Sequence, residues 1–279
     1  MEQKTPPAIT EITHKDIGDS IVGFSSPPVG FRQYLVLGSE RALLVDTGIG
    51  IGSLRDEVEK ITKLPVTVIN THAHPDHAGG NAEFAPALMN PADFEVYSRM
   101  ASLTFRQRDV ARMPGGADFL SRLQPDGPPP IAAEDGEAIN LGGRSLRVVY
   151  APGHTRGSLC VFEESTGVLF TGDNVQPFNT SLSEDCAADV ETYRNTLRRL
   201  ISLKPTKLLS GHSPDPNGAE LLERKLECAE KILDGAVGQP SQGFGPPALR
   251  YIWRDTAISY RPERLHALGQ PSHFCQNED

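Results

Sequence analysis

The segment at residues 71–80 limits what this 279-residue chain can fold into more than any other part of it. It reads Thr-His-Ala-His-Pro-Asp-His-Ala-Gly-Gly, with three histidines and a carboxylate within six residues. An apolar, β-branched run at 66–69 precedes it and predicts a buried strand that ends at this cluster. Because neutral imidazole and carboxylate are ligands for zinc and its neighbours in the first transition row, the segment predicts a metal site.

The spacing within the segment favours two ions rather than one. Side chains two residues apart on an extended chain point the same way, so His72 and His74 can share one ion. Pro75 then bends the chain and starts a turn. Asp76 and His77 follow the bend, point elsewhere and suit a second, adjacent ion.

A two-metal site needs more ligands than this segment holds, and the chain offers three further candidates. They are His154, Asp173 and His212. Each follows an apolar run and comes directly after a glycine. A glycine lets the backbone turn sharply at the end of a strand and lets other groups approach closely.

The two halves of the chain repeat one pattern. The first half has a hairpin over 34–45, an aspartate, a helix and an apolar strand that ends in Thr-His. The second half has a hairpin over 158–172, an aspartate, a helix over 190–203 and an apolar strand that ends before Gly-His. Two similar units facing one another would bring their strand ends to one edge of a two-layered sheet structure.

Together these motifs resemble those of the metallo-β-lactamase superfamily. His-x-His-x-Asp-His at 72–77, followed by single His, Asp and His residues at strand ends, carries the resemblance, which covers roughly residues 20–215. The resemblance implies an α/β fold, a four-layered αββα sandwich with a dinuclear site at one edge. It also implies that His72, His74 and His154 hold one metal, that Asp76, His77 and His212 hold the other, and that Asp173 bridges the two.

Asp46 ends the second strand of the first hairpin and precedes Thr-Gly. Its carboxylate could orient a ligand histidine from behind, or it could simply cap a turn. Proteins that the chain resembles carry the same Asp-Thr-Gly sequence, which favours a structural role beside the metals.

We expect residues 1–218 to form the catalytic domain and residues 219–279 to add a helix and a tail packed on the same domain. The less regular insert at 85–135 is expected to form one or two helices over the site. Its scattered Met and Phe side chains either fill an ordinary core or form an adaptable apolar wall beside the metals. Four residues close to the motifs in sequence are candidate substrate contacts: Arg156, Phe178, Asn179 and Tyr193.

The net charge of −9 is dispersed along the chain, which argues against a nucleic-acid surface, where Lys and Arg cluster on one face. The beginning of the chain lacks the apolar region of a signal peptide, and no run approaches the ~18 apolar residues of a membrane span. The scattered cysteines are expected to be free thiols in a reducing compartment: Cys160, Cys186, Cys228 and Cys275. We therefore expect a cytoplasmic monomer or homodimer with a small-molecule substrate and no nucleic-acid or membrane partner.

The expected chemistry follows from two divalent ions bridged by a carboxylate, which can hold a hydroxide between them and polarise a carbonyl. This predicts a metal-dependent hydrolase of an ester, thioester or lactone, with Asp76 as the catalytic residue that also accepts or delivers a proton. Zinc is the first choice of metal, and iron or manganese stays open because all seven ligands are nitrogen or oxygen.

With an aspartate at position 173, the chain resembles glyoxalase-II-type thioesterases and lactonases more than antibiotic hydrolases. The Gly-His-x-Arg-Gly-Ser turn at 153–158 looks similar to that of acyl-CoA thioesterase-like members. A β-lactamase or a phosphodiesterase on the same site, or an iron-dependent oxygenase or redox enzyme, are the alternatives.

Overall fold

The computed structural model describes residues 9–241 and 246–266 of the chain. A seven-stranded sheet comes first, and its strands follow each other in chain order. They are β1 (Thr13–Gly18), β2 (Ile21–Ser26), β3 (Phe31–Leu37), β4 (Ala42–Val45), β5 (Val66–Ile69), β6 (Leu88–Met89) and β7 (Ile131–Ala132). Strands β1 to β4 are antiparallel, whereas β4 and β5 are parallel and joined by helix α1 (Leu54–Ile61).

The rest of the chain forms two further sheets. Their strands are β8 (Ala138–Asn140), β9 (Ser145–Tyr150), β10 (Leu159–Glu163), β11 (Val168–Gly172), β12 (Thr180–Leu182), β13 (Lys207–Ser210), β14 (Asn217–Gly218), β15 (Gln239–Ser241), β16 (Ala248–Trp253) and β17 (Thr256–Tyr260). The six-stranded sheet has the order β14-β13-β11-β10-β9-β8, and the four-stranded sheet has the order β12-β17-β16-β15.

The two large sheets pack face to face. Their facing apolar side chains include Val36, Leu43 and Ile69 from the first sheet and Val148, Val161 and Phe170 from the second. Helix α1 covers the outer face of the first sheet, and α5 (Val190–Ser202) and α6 (Glu220–Leu233) cover that of the second. The chain is therefore an α/β sandwich with helix, sheet, sheet and helix layers, so strands β10 and β11 are buried along their whole length.

The insert at 85–135 contains the expected helices, α3 (Phe94–Met100) and α4 (Leu103–Val110). It also contains β6 and β7, which extend the first sheet and which no pattern in the sequence predicts. Strands of two residues are too short to show an alternating pattern, so only the pairing partner identifies them.

The C-terminal region packs on the second sheet through α6, and its hairpin β16–β17 pairs with β12. Of the segment 219–279, residues 242–245 and 267–279 lie outside the described residues, as does Cys275. The other three cysteines are buried free thiols. None of the helices within the described ranges is long and apolar enough to cross a membrane.

Candidate metal centre

All seven candidate ligands follow strands that end at one edge of the sandwich. The segment 72–77 follows β5, and its second half lies in the short helix α2 (Pro75–Ala78). His154, Asp173 and His212 follow β9, β11 and β13. β11 and β13 are parallel, and β9 runs in the same direction because β9 and β11 are both antiparallel to β10.

His72, His74 and His154 form the first donor set. One ring nitrogen of each lies within 4.8 Å of the others. His74 Nδ1 and His154 Nε2 are 2.9 Å apart, and all three rings are buried. Three buried nitrogens at this spacing surround a position that fits one ion.

Asp76, His77 and His212 form the second donor set, again with ligand atoms within 4.8 Å of one another. Asp173 lies between the two sets. Its Oδ1 is 3.2 Å from His77 Nε2, and its Oδ2 is 3.0 Å from His212 Nε2 and 3.7 Å from His154 Nε2. The structure thus brings all seven predicted residues together, with Asp173 within reach of both positions.

The close approach of these groups explains the glycine that precedes His212. A Cβ atom at Gly211 would lie 2.5 Å from Asp173 Oδ1 and would also collide with the ring of His77. Only a residue without a side chain fits beside His77 and Asp173 at this point.

Asp46 holds the ligand segment from behind. Its Oδ2 accepts a hydrogen bond from His77 Nδ1 at 2.8 Å, and its two oxygens accept from the backbone N and the hydroxyl of Thr71 at 2.7 and 2.8 Å. The Thr71 hydroxyl oxygen is 3.1 Å from His72 Nδ1 and can accept a hydrogen bond from the N–H group at that position. With each Nδ1 acting as donor, the Nε2 atoms of both histidines present lone pairs to the site, which supports the orienting role of Asp46.

The other two buried histidines are also oriented by neighbours. His154 Nδ1 donates to the backbone oxygen of Ser181 at 2.7 Å, so its Nε2 faces the site. His74 has the opposite orientation, because its Nδ1 faces His154 while its Nε2 lies 3.3 Å from Glu184 Oε2 and 3.5 Å from Cys186 Sγ. Neither Glu184 nor Cys186 was identified from the sequence.

Two buried nitrogens test whether the residues fit a metal. His72 Nε2 and His77 Nε2 have no hydrogen-bond partner among the described residues, an arrangement that is unfavourable for a buried polar atom. The lone pair of His77 Nε2 faces carboxylate oxygens of Asp76 at 3.5 Å and of Asp173 at 3.2 Å. Lone pairs that converge in this way are stabilised by a cation, and five imidazoles with two carboxylates suit a divalent ion of the first transition row.

Burial and the charges of neighbouring donors shift the pKa values of the site residues. Burial alone would raise the pKa of Asp173, but the neighbouring His212 and His77 hold it well below the usual range. Burial likewise opposes the charged form of Asp76, yet His77 and His212 lower its pKa to about 2. Burial, together with the nearby histidines, lowers the pKa of His72. Although burial opposes the charged form, the same carboxylates raise the pKa of His77, and they raise that of His212 to about 10. A metal that binds here therefore displaces protons from these two rings, because only the neutral imidazole is a ligand.

Asp93 ties two ligand loops together and was not identified from the sequence. Its Oδ2 accepts hydrogen bonds from the backbone N of Ala73 at 2.9 Å and from the hydroxyl of Thr155 at 2.8 Å. Its Oδ1 accepts from the backbone N of Gly157 at 3.0 Å. Ala73 lies between two ligand histidines and Thr155 follows His154, so one buried carboxylate sets the distance between the β5 and β9 loops.

Asp93→Asn is expected to lower metal affinity by about 10- to 100-fold, because the amide NH₂ replaces an acceptor and opposes one of the three donors. Chelator competition measures this affinity. Asp118→Asn, an exposed acid of the same insert, is the matched control and should bind metal as the wild type does. A metal affinity of Asp93→Asn within twofold of the control would contradict the role of Asp93.

A cavity of about 730 Å³ opens over the donor sets. His74, Asp76, His154, Asp173 and His212 all line it. Met100, Phe105 and Met113 of the insert line it as well, whereas Met89 and Phe119 are fully buried in the core. The insert therefore fills both roles considered for its apolar side chains, and the size of the cavity suits a small-molecule ligand.

The four substrate-contact candidates do not line this cavity. Tyr193 is buried in the core, and its hydroxyl donates to a backbone carbonyl at 2.6 Å. Arg156 donates to two backbone carbonyls, and Phe178 and Asn179 also lie away from the cavity lining. The prediction is therefore wrong for Tyr193, because nearness to a motif in sequence does not determine where a side chain points, and it stays a prediction for the other three residues.

The family model described as "Metallo-beta-lactamase superfamily" matches residues 32–212, which include all seven donors. Acyl-coenzyme A thioesterase MBLAC2 of Homo sapiens is 32% identical over 244 residues, covering 78% of this chain and 86% of that protein. Hydroxyacylglutathione hydrolase of Gloeobacter violaceus is 30% identical over 219 residues, covering 72% of this chain and 78% of that protein.

The fold of the chain is also found among solved structures. The metallo-beta-lactamase family protein TTHA1429 of Thermus thermophilus superimposes with a TM-score of 0.58 at 22% identity, covering 77% of this chain and 81% of that one. At this identity the likeness concerns the fold alone. The family match and the two relatives identify the chain as a hydrolase that belongs to the metallo-beta-lactamase superfamily.

Proposed function

We propose that this chain is a dinuclear metal-dependent hydrolase of acyl thioesters, with the related ester and lactone bonds as further substrates. The observation that carries the proposal is the convergence of seven donors into two sets beneath a cavity with an apolar wall, with Asp173 3.2 Å from His77 Nε2 in one set and 3.7 Å from His154 Nε2 in the other. An acyl-coenzyme A thioesterase among the relatives supports the thioester as the bond that is cleaved.

In this proposal His72, His74 and His154 would hold one ion, and Asp76, His77 and His212 would hold the other. Asp173, which lies within reach of both sets, would be their shared ligand. When bound, such a pair of ions supplies Lewis acidity, which lowers the pKa of water toward neutrality and polarises an acyl carbonyl. Zinc is the proposed metal, and iron or manganese would use the same nitrogen and oxygen donors.

The residues of the chain supply binding and proton transfer. Asp76 lines the cavity, and its Oδ2 lies 3.2 Å from His212 Nε2. Its carboxylate can take the proton of an attacking water and return it to the leaving sulfur or oxygen. Met100, Phe105 and Met113 provide an apolar surface for the acyl group.

Metal content and substrate preference test the proposal together. The protein is purified without added metal, its metals are measured by elemental analysis, and it is assayed on an acyl thioester, an ester, a lactone, a β-lactam and a phosphodiester. We expect two zinc ions per chain and the highest kcat/KM on the thioester. One iron per chain with oxygen uptake, or preferred cleavage of the β-lactam or phosphodiester, would overturn it.

A further inference from the structure

Three arginines line the wall of the cavity that the insert provides. Arg99 lies in the last turn of α3, Arg108 lies in the last turn of α4, and Arg112 follows the end of α4. All three are exposed, whereas the metal donors on the floor of the cavity are largely buried. A molecule that reaches from the donors to solvent along the insert therefore passes these guanidinium groups.

These guanidinium groups are free to bind a ligand. Within the described parts of the chain, no carboxylate lies within 4.0 Å of Arg99, Arg108 or Arg112, and their side chains donate no hydrogen bond. By contrast, the insert's Arg106 is buried and donates to four backbone carbonyls. Arg108 is held over the ring of Phe105, with its Cζ 5.1 Å from the ring centroid, so its position is partly fixed.

The acidic residues of the cavity do not neutralise this group of arginines. Asp76 and Asp173 belong to the donor sets, and Glu184 faces His74 at 3.3 Å. Asp185 pairs with Arg261 at 2.5 Å. Only Asp109 remains on the insert wall, so three cations face one carboxylate in a chain whose net charge is −9.

Helix ends account for part of this pattern. A cation in the last turn is stabilised by the helix dipole, which suits Arg99 and Arg108. Arg112 lies beyond the last turn of α4, and the dipole does not explain why three unpaired arginines line one cavity. A planar guanidinium binds phosphate through two parallel hydrogen bonds, and several of them together match a group with more than one negative charge.

We propose that Arg99, Arg108 and Arg112 bind a phosphate group of the thiol that leaves in the reaction, so that the preferred substrate is an acyl thioester of a phosphorylated carrier thiol. This inference rests on the proposed function and names the part of the substrate that the site selects. The acyl carbonyl lies at the donor sets, and the carrier extends along the insert to the arginines at the cavity mouth.

A series of thioesters with one acyl group tests this assignment on the metal-loaded protein. The carriers are N-acetylcysteamine and pantetheine, which have no phosphate, and 4′-phosphopantetheine and coenzyme A, which do. We expect kcat/KM to be at least about tenfold higher with the phosphorylated carriers, mainly through a lower KM. Their KM should also rise with salt, whereas that of the phosphate-free substrates should not.

Variants of the arginines test the residues themselves. Arg108→Gln and Arg112→Gln should each raise KM for the coenzyme A thioester about tenfold and change kcat/KM for the N-acetylcysteamine thioester less than twofold. Arg147→Gln is the matched control, because Arg147 is exposed and stacked on Phe162 with its Cζ 5.9 Å from the ring, outside the cavity. It should behave as the wild type does with both substrates.

Binding gives a readout that does not depend on turnover. S-methyl coenzyme A should bind the wild type at least about tenfold more tightly than S-methyl pantetheine does, and Arg108→Gln should abolish the difference. Equal binding of the two probes, or equal losses with both substrates in the variants, would overturn the phosphate site. A preference for a glutathione thioester that depends on the same arginines would also overturn it, because the arginines would then bind a carboxylate of the carrier instead of a phosphate.

The two proposals fail in different ways. Turnover of the N-acetylcysteamine thioester without any preference for phosphorylated carriers would support the proposed hydrolase and contradict the proposed arginine site. Tight, arginine-dependent binding of S-methyl coenzyme A without hydrolysis of any thioester would support the arginine site and contradict the proposed thioesterase activity.

Discussion

Replacing Asp173 with alanine in the proposed dinuclear site is expected to lower the bound metal from two ions to one per chain and to reduce kcat/KM by at least about 100-fold. Replacing a residue that only hydrogen-bonds to a metal ligand typically lowers metal affinity or activity by about 10- to 100-fold. Asp173 lies 3.2 Å from His77 Nε2 in the second donor set and 3.7 Å from His154 Nε2 in the first, so its loss removes a donor from both positions at once. The fold should persist, because the carboxylate belongs to the site rather than to a hydrophobic core.

Elemental analysis measures the bound metal, steady-state kinetics measure kcat/KM, and circular dichroism checks that the fold persists. Asp118→Ala, which removes an exposed carboxylate of the insert, controls for the change in charge. Two ions per chain retained in Asp173→Ala would contradict the bridging role, whatever happens to the rate.

Replacing Lys225 with methionine is expected to remove a large pH dependence of stability. Lys225 is fully buried in α6, and its Nζ donates to the backbone oxygen of Ala257 at 2.7 Å. Burial lowers the pKa of this amine from 10.5 to about 7, because the charged form loses its hydration. The difference between the two pKa values corresponds to about 5 kcal/mol in the free energy of unfolding.

The direction follows from proton binding in the two states. Between about pH 7 and 10.5 the unfolded chain carries a proton on Lys225 that the folded chain has released. The free energy of unfolding therefore rises with pH across this window. The stability gained in this way at high pH is lost again as the pH falls to about 7. The slope from this residue is at most about 1.4 kcal/mol per pH unit.

Urea unfolding at several pH values between 7 and 9.5 measures this slope. Lys225→Met should show a smaller slope than the wild type, with the difference approaching the contribution of one proton. Lys63→Met, whose side chain is 81% exposed, should keep the slope of the wild type. Identical slopes in Lys225→Met and the wild type would show that Lys225 stays charged when the protein folds.

The sequence alone determined the parts of the site that depend on local spacing. The segment 72–77 holds four candidate ligands within six residues, and the repeated glycines mark strand ends where the chain turns close to other groups. Alternating and continuous apolar runs indicate the strands that build the sandwich, because periodicity within a few residues reports which side of a strand is buried. The hairpin β3–β4, strand β5 and helix α6 all lie where those patterns predict them.

Only the tertiary structure decided which isolated polar residues support the site. Asp93, Glu184 and the arginines of α3 and α4 have no spacing that distinguishes them from an ordinary surface residue. Asp93 and Glu184 contact partners far away in sequence, and the arginines line a cavity whose other residues come from distant segments. The same holds for Lys225, which looks like one more charged residue of an amphipathic helix until β17 covers it. Their roles come from long-range contacts and burial, which local sequence patterns do not specify.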